Sequence, residues 1–109
     1  MHIALEAMQL PKDTEVITSP ISFMASSNAA FYAGMTPRFI DIDPRTLNID
    51  IAKVSAEINL NKKISAVIPV HFGGLPCDMK ILSENLMVNE DLSSSNRKYA
   101  NVESKGQRI

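Results

Sequence analysis

The stretch ISAVIPV, residues 64–70, carries a single polar side chain, Ser65. An apolar run of this length without alternation reads as a strand covered on both faces. Such a strand needs packed layers above and below it. The residues that follow, His71-Phe72-Gly73-Gly74-Leu75-Pro76-Cys77, read as a tight exit from the strand into a helix. In open α/β sheets ligands bind at the carboxyl ends of strands, so this exit is either a site or merely a turn.

The rest of the chain supplies the missing layers. MHIALEAM has helical spacing and is broken by Pro11 and its polar neighbours. VITSP reads as a short β-branched strand ending at Pro20. Ser22 is placed to cap a helix over FMASSNAAFYA, which Gly34 and Pro37 terminate. RFIDID predicts a second strand and PRTLN a loop. Asp50 is the expected N-cap of IAKVSAEI, whose Ile51, Val54 and Ile58 share one face. Asp78 is placed to cap a last helix, MKILSENLM. Helices and strands thus alternate, which predicts right-handed βαβ units and a mostly parallel sheet. Three short strands leave open edges and a small core, so the chain reads as a slice of a larger sheet. From about Val88 the sequence is rich in Ser and Asn with charges of both signs, which predicts a disordered tail over residues 88–109.

Composition narrows the function classes. The 109 residues suffice for one small domain, and a formal charge of −1 offers no basic patch for nucleic acid. The apolar runs are far shorter than the roughly 20 residues of a membrane span. No secretory leader pattern opens the chain. One cysteine permits no internal disulfide and suits a reducing compartment. A soluble, cytoplasmic protein is expected.

Several residues are candidates for chemistry. Asp41 and Asp43 form an acid pair that could bind a divalent metal, although no third carboxylate stands nearby; Asp43 before Pro44 could equally just turn the chain. His71 could transfer a proton, stack on a ring, or be a satisfied polar residue at a strand end. Gly73-Gly74 could admit a close backbone approach by a ligand or serve positive φ angles. Cys77 has no partners for a zinc site and reads as a nucleophile or a buried structural thiol. Phe23, just past the first strand, could cover a flat cofactor or belong to the core. Phe31-Tyr32 reads as helix packing and Lys62-Lys63 as solvated. Neither GxGxxG nor GxxxxGK[ST] occurs.

Taken in order, EVITSPISF, AGMTPRFIDID, TLNID and AVIPVHFGGLPCDM give the chain a strong resemblance to the DegT/DnrJ/EryC1/StrS family over roughly residues 1 to 82. These are sugar aminotransferases dependent on pyridoxal 5'-phosphate, with the fold-type-I aminotransferase architecture. The resemblance implies that residues 1–87 are part of the large, cofactor-binding domain. It implies transfer of an amino group from a donor, commonly glutamate, to a keto-sugar carried on a nucleotide, by a homodimer with sites at the subunit interface. By the same resemblance Phe23 is the aromatic that stacks on the cofactor ring. His71 is the histidine of the PVH signature, with a positioning role, while Asp41, Asp43, Gly74 and Pro76 shape turns.

The departures are equally specific. In the family a Gly-Thr or Gly-Ser pair that helps hold the cofactor phosphate precedes the first helix. An EDAA stretch and an SF…K lysine follow the last matching helix, and neither has a convincing counterpart around Glu90-Asp91, Lys98 or Lys105. Transamination requires a lysine amine on the cofactor and a carboxylate at its ring nitrogen. The expectation is therefore an amino-terminal fragment, inactive alone, from a truncated or frameshifted gene. The alternatives are a small non-catalytic α/β binding module, or a fragment from the family's dehydratase branch, whose members carry histidine in place of that lysine.

Overall fold

The computed structural model describes residues 1–90; the rest of the span read as a disordered tail, residues 91–109, lies outside the described residues. The chain runs α1 (His2–Ala7), β1 (Glu15–Thr18), α2 (Ala25–Tyr32), β2 (Thr36–Phe39), α3 (Ile51–Leu60), β3 (Ile64–Ile68), a 3-10 turn at Phe72–Gly74, and α4 (Met79–Glu90). This is the alternation expected from the sequence. The sheet is wholly parallel with strand order β2-β1-β3.

That order fixes where the helices go. The chain steps from β1 through α2 to β2, then returns through α3 across β1 to β3. Two right-handed crossovers in opposite directions put their helices on opposite faces. Accordingly Val16, Ala66 and Ile68 pack with Leu5, Leu10, Ala29, Ala30 and Met35 on the α1/α2 side. Ile17, Ile64 and Val67 pack with Val54, Ile58, Cys77 and Leu82 on the α3/α4 side. Every residue of β3 is buried, as its apolar run demands. Each fully buried Ile or Val of this kind contributes about 1.5–3 kcal/mol relative to exposure.

One irregularity was not visible beforehand. Ile64 lies against the α3/α4 cluster while Ala66 and Ile68 lie against the other, which strict alternation forbids. The register skips at this point: Glu15 is opposite Ile64 and Val16 opposite Ala66. Ser65 is the extra residue of a bulge, and it reverses the phase of the strand. Its hydroxyl is satisfied by the Thr14 hydroxyl at 2.7 Å.

Local chemistry explains the element ends. Asp50 and Asp78 cap α3 and α4 as expected, accepting from the backbone N–H of Lys53 at 3.2 Å and Ile81 at 3.1 Å. Ser22 does not cap α2. The N-cap position is Met24, already in helical conformation, and the Ser22 hydroxyl pairs with that of Ser26 at 2.7 Å. At the other end Gly34, with φ 77°, closes α2. Its N–H bonds the carbonyl of Phe31 and that of Met35 bonds Ala30, the two bonds of a Schellman motif.

The second strand is Thr36–Phe39 and not RFIDID. Strand β1 ends at Thr18, so beyond Ile40, whose N–H reaches the Thr18 carbonyl at 3.2 Å, the chain has nothing to pair with. Ile42 instead forms an isolated antiparallel bridge with Ile49. Residues 41–50 therefore make a small strap, closed by bonds from Asp43 N–H to the Asn48 carbonyl and from Asp50 N–H to the Asp41 carbonyl.

Candidate functional site

The two chain segments leaving neighbouring strands β1 and β3 diverge, one to α2 on one face and the other to α4 on the opposite face. This is a topological switch point, where open α/β sheets form a crevice. Phe23 lies in the first segment and His71 in the second, so the fold brings the two predicted site residues to the carboxyl ends of adjacent, hydrogen-bonded strands. The Thr18 hydroxyl donates to the Ile68 carbonyl at 3.1 Å and ties the strand ends together. Phe23 is not core: 72% of it is exposed. Ile21, Met24, Phe72 and Leu75 are also exposed along these segments, an apolar rim that a solvated turn would not need.

The His71 ring is half-buried, and its Nδ1 accepts the backbone N–H of Cys77 at 2.9 Å. Nδ1 must therefore hold a lone pair, which puts the ring proton of the neutral form on Nε2. Gly73 and Gly74 have φ of 59° and 85°, and a Cβ on either would meet nothing within 4 Å. The glycine pair thus serves backbone conformation within the turn. Cys77 is 6% exposed, and its thiol donates to the Val70 carbonyl at 3.2 Å. Burial pushes this thiol up from its ordinary value, against the pull of the Cys77 and Ile49 N–H groups. It is a buried thiol that ties the end of the loop back to its beginning at Val70.

The acid pair is committed to the strap. Asp41 accepts from the N–H of Ile42 and is approached by Lys53, which together lower its carboxyl from the ordinary value. Asp43 accepts from the Arg45 guanidinium at 2.8 Å and from the Arg45 N–H at 2.9 Å, and these bonds hold its carboxyl at about 2. Among the described residues no three His, Cys, Asp or Glu side chains are grouped to hold a metal ion. Phe31 and Tyr32 are exposed, contrary to the packing role expected of them.

One residue escaped the sequence reading. Asn48 is 5% exposed, and its side chain accepts from the Phe72 N–H at 2.7 Å and donates to the Leu75 carbonyl at 2.9 Å. It pins the loop after β3 at two points. Its partners are 24 and 27 residues away, so no local pattern marks it.

The sequence model of the DegT/DnrJ/EryC1/StrS aminotransferase family matches residues 1–93. The chain belongs to this family. It is 43% identical over 96 residues to the spore coat polysaccharide biosynthesis protein SpsC of Bacillus subtilis, covering 84% of this chain and 24% of that protein. It is 41% identical over 100 residues to the GDP-perosamine synthase of Caulobacter vibrioides, covering 87% of this chain and 26% of that protein. With shares of 24% and 26%, the chain spans about a quarter of the length of these curated relatives. Among solved structures, NtdA from Bacillus subtilis with bound cofactor PMP superposes with a TM-score of 0.74 at 31% identity, over 82% of this chain and 20% of that one. The family assignment and the α/β fold agree with the resemblance seen in the sequence. No helix among the described residues is long and apolar enough to cross a membrane.

Proposed function

We propose that the crevice at the ends of β1 and β3 holds one face of the pyridoxal 5'-phosphate ring, as part of a homodimeric, cytoplasmic aminotransferase acting on a nucleotide-linked keto-sugar with an amino donor. The observation that carries this reading is the placement of an exposed aromatic, Phe23, and a half-buried histidine, His71, past the carboxyl ends of adjacent strands at a switch point. The residues fit the ring. An aromatic face free of the core is what a flat heterocycle requires, and His71 Nε2–H offers it a polar neighbour.

When bound, the cofactor supplies the electron sink for amino transfer. This chain's share of the work is to orient: Phe23 sets the plane, the rim of Ile21, Met24, Phe72 and Leu75 excludes water, and His71 fixes an edge. Neither segment at the crevice, residues 19–24 or 69–78, contains a lysine. Among the described residues Lys12 bonds Glu6 and the Ala33 carbonyl, Lys53 reaches Asp41, and Lys62, Lys63 and Lys80 lie outside both segments. We therefore read residues 1–87 as a fragment of the large domain that does not transaminate by itself.

The test is titration of the purified 109-residue chain with pyridoxal 5'-phosphate, followed by amide shifts and by borohydride reduction. Shifts confined to the Phe23 and His71 segments, without covalent attachment, are expected. Phe23→Ala should weaken binding roughly 2- to 12-fold, the worth of one aromatic stack. Unchanged affinity in Phe23→Ala, or stoichiometric reducible attachment at one lysine, would overturn the reading.

A further inference from the structure

We propose that Asn48 is the positioning residue of the loop after β3, and that through it His71 is held as a hydrogen-bond donor whose Nε2–H serves an acceptor oxygen on the ligand in the crevice. The inference deepens the cofactor reading and rests on it for the ligand alone.

Every polar group of Asn48 is engaged. Its carbonyl accepts from Asp43 N–H at 2.8 Å, and its own N–H donates to the Thr46 hydroxyl at 3.2 Å. Its side-chain oxygen takes the Phe72 N–H and its amide nitrogen serves the Leu75 carbonyl. The opposite orientation of the amide would set donor against donor and acceptor against acceptor, so these partners determine it. The two anchored groups bracket the 3-10 turn that begins one residue after His71. The loop's own bonds, Gly74 N–H to the His71 carbonyl at 3.4 Å and Leu75 N–H to the Phe72 carbonyl at 3.0 Å, are fewer than its length requires. Asn48 supplies two more from the strap.

The consequence reaches the ring. The loop must return so that the Cys77 N–H points at His71 Nδ1, 2.9 Å away. That bond consumes the ring's only acceptor and leaves Nε2–H without a protein partner among the described residues. A group so arranged donates; it cannot act as a base through the occupied nitrogen.

The experiment is nitrogen NMR on the labelled full chain, whose two histidines, His2 and His71, allow one to serve as reference. A scalar coupling across the hydrogen bond between the Cys77 amide nitrogen and His71 Nδ1 is expected in the parent. In Asn48→Ala with β1 and β3 amide shifts retained, the coupling should vanish and both ring tautomers appear. A folded Asn48→Ala that keeps the coupling overturns the proposal.

If that variant does not fold, amide exchange in the parent decides. Phe72 and Cys77 N–H opening together, within about tenfold in protection, supports one Asn48-anchored unit. A Cys77 protected beyond that margin refutes it. Addition of pyridoxal 5'-phosphate should move the His71 Nε2 resonance. Shifts at Phe23 with Nε2 unmoved would overturn the donor role while the cofactor reading stands. Shifts nowhere would instead remove the cofactor reading, and the coupling would still judge Asn48.

Discussion

Replacing Gly73 separates the two uses that a glycine pair beside a crevice can have. Gly73 sits at φ 59° and ψ 19°, the left-handed helical region, and a Cβ there would meet no atom within 4 Å. The cost of Gly73→Ala is therefore conformational and not steric. An L-residue in this region loses roughly 1–2 kcal/mol, while alanine stiffens the unfolded chain and returns about 0.4–1 kcal/mol. The net destabilisation is about 1 kcal/mol. With a urea slope of about 1 kcal/mol per molar, suited to a small domain, the unfolding midpoint should fall by about 1 M with the slope unchanged. Asparagine tolerates the left-handed region, so Gly73→Asn should unfold within about 0.3 M of the parent. The pair also probes function. If the backbone at Gly73 had to touch a ligand, Gly73→Asn would keep its midpoint and lose the response to pyridoxal 5'-phosphate. A Gly73→Ala midpoint equal to the parent's, or a Gly73→Asn midpoint as low as that of alanine, would refute the conformational argument.

Two further predictions concern titration. Arg45 holds the Asp43 carboxyl at about 2 against an ordinary 3.8, chiefly through its guanidinium and then its N–H. A depressed carboxyl contributes stability above its unfolded value that is lost as pH falls through the folded one. Asp43→Asn should therefore flatten the acid limb of the stability curve between 3.8 and about 2, and a carboxyl carbon titrating at the ordinary value would contradict this. Cys77 is shifted upward by burial, so the folded state holds its proton longer than the unfolded one. Its contribution is intact below the ordinary thiol value of 9.0 and fades as pH rises through the raised one. Cys77→Ala should remove that alkaline slope, and Ellman's reagent should react slowly with the native chain and rapidly in urea; equal rates would show the thiol to be open.

What the sequence disclosed divides by distance along the chain. The caps at Asp50 and Asp78 act on amides three residues away, and each was legible. Phe23 and His71 are legible as residues past strand ends, because Pro20 marks one end and the halt of the apolar run at His71 marks the other. Ser22 does not cap because the chain turns helical at Met24, which leaves Ser22 outside the first turn. RFIDID overruns the strand because its alternation says nothing of where β1 runs out. Asn48 and the Ser65 bulge depend on partners from other elements, and such pairings carry no period. The part of the site that was hidden is the part that supports it.

The central place of β1 has a consequence for how the chain is made. Strand β1 is sandwiched between two strands synthesised after it, and Thr18 waits for Ile68, 50 residues downstream. At synthesis rates of roughly 5–20 residues per second, the ribosome takes about 2.5–10 s to deliver that partner. Until then Val16 and Ile17, which end fully buried, have no third strand beside them, and the α3 layer that covers Ile17 is complete only shortly before β3. Only when β3 emerges can the hydrophobic centre on both faces of the sheet close.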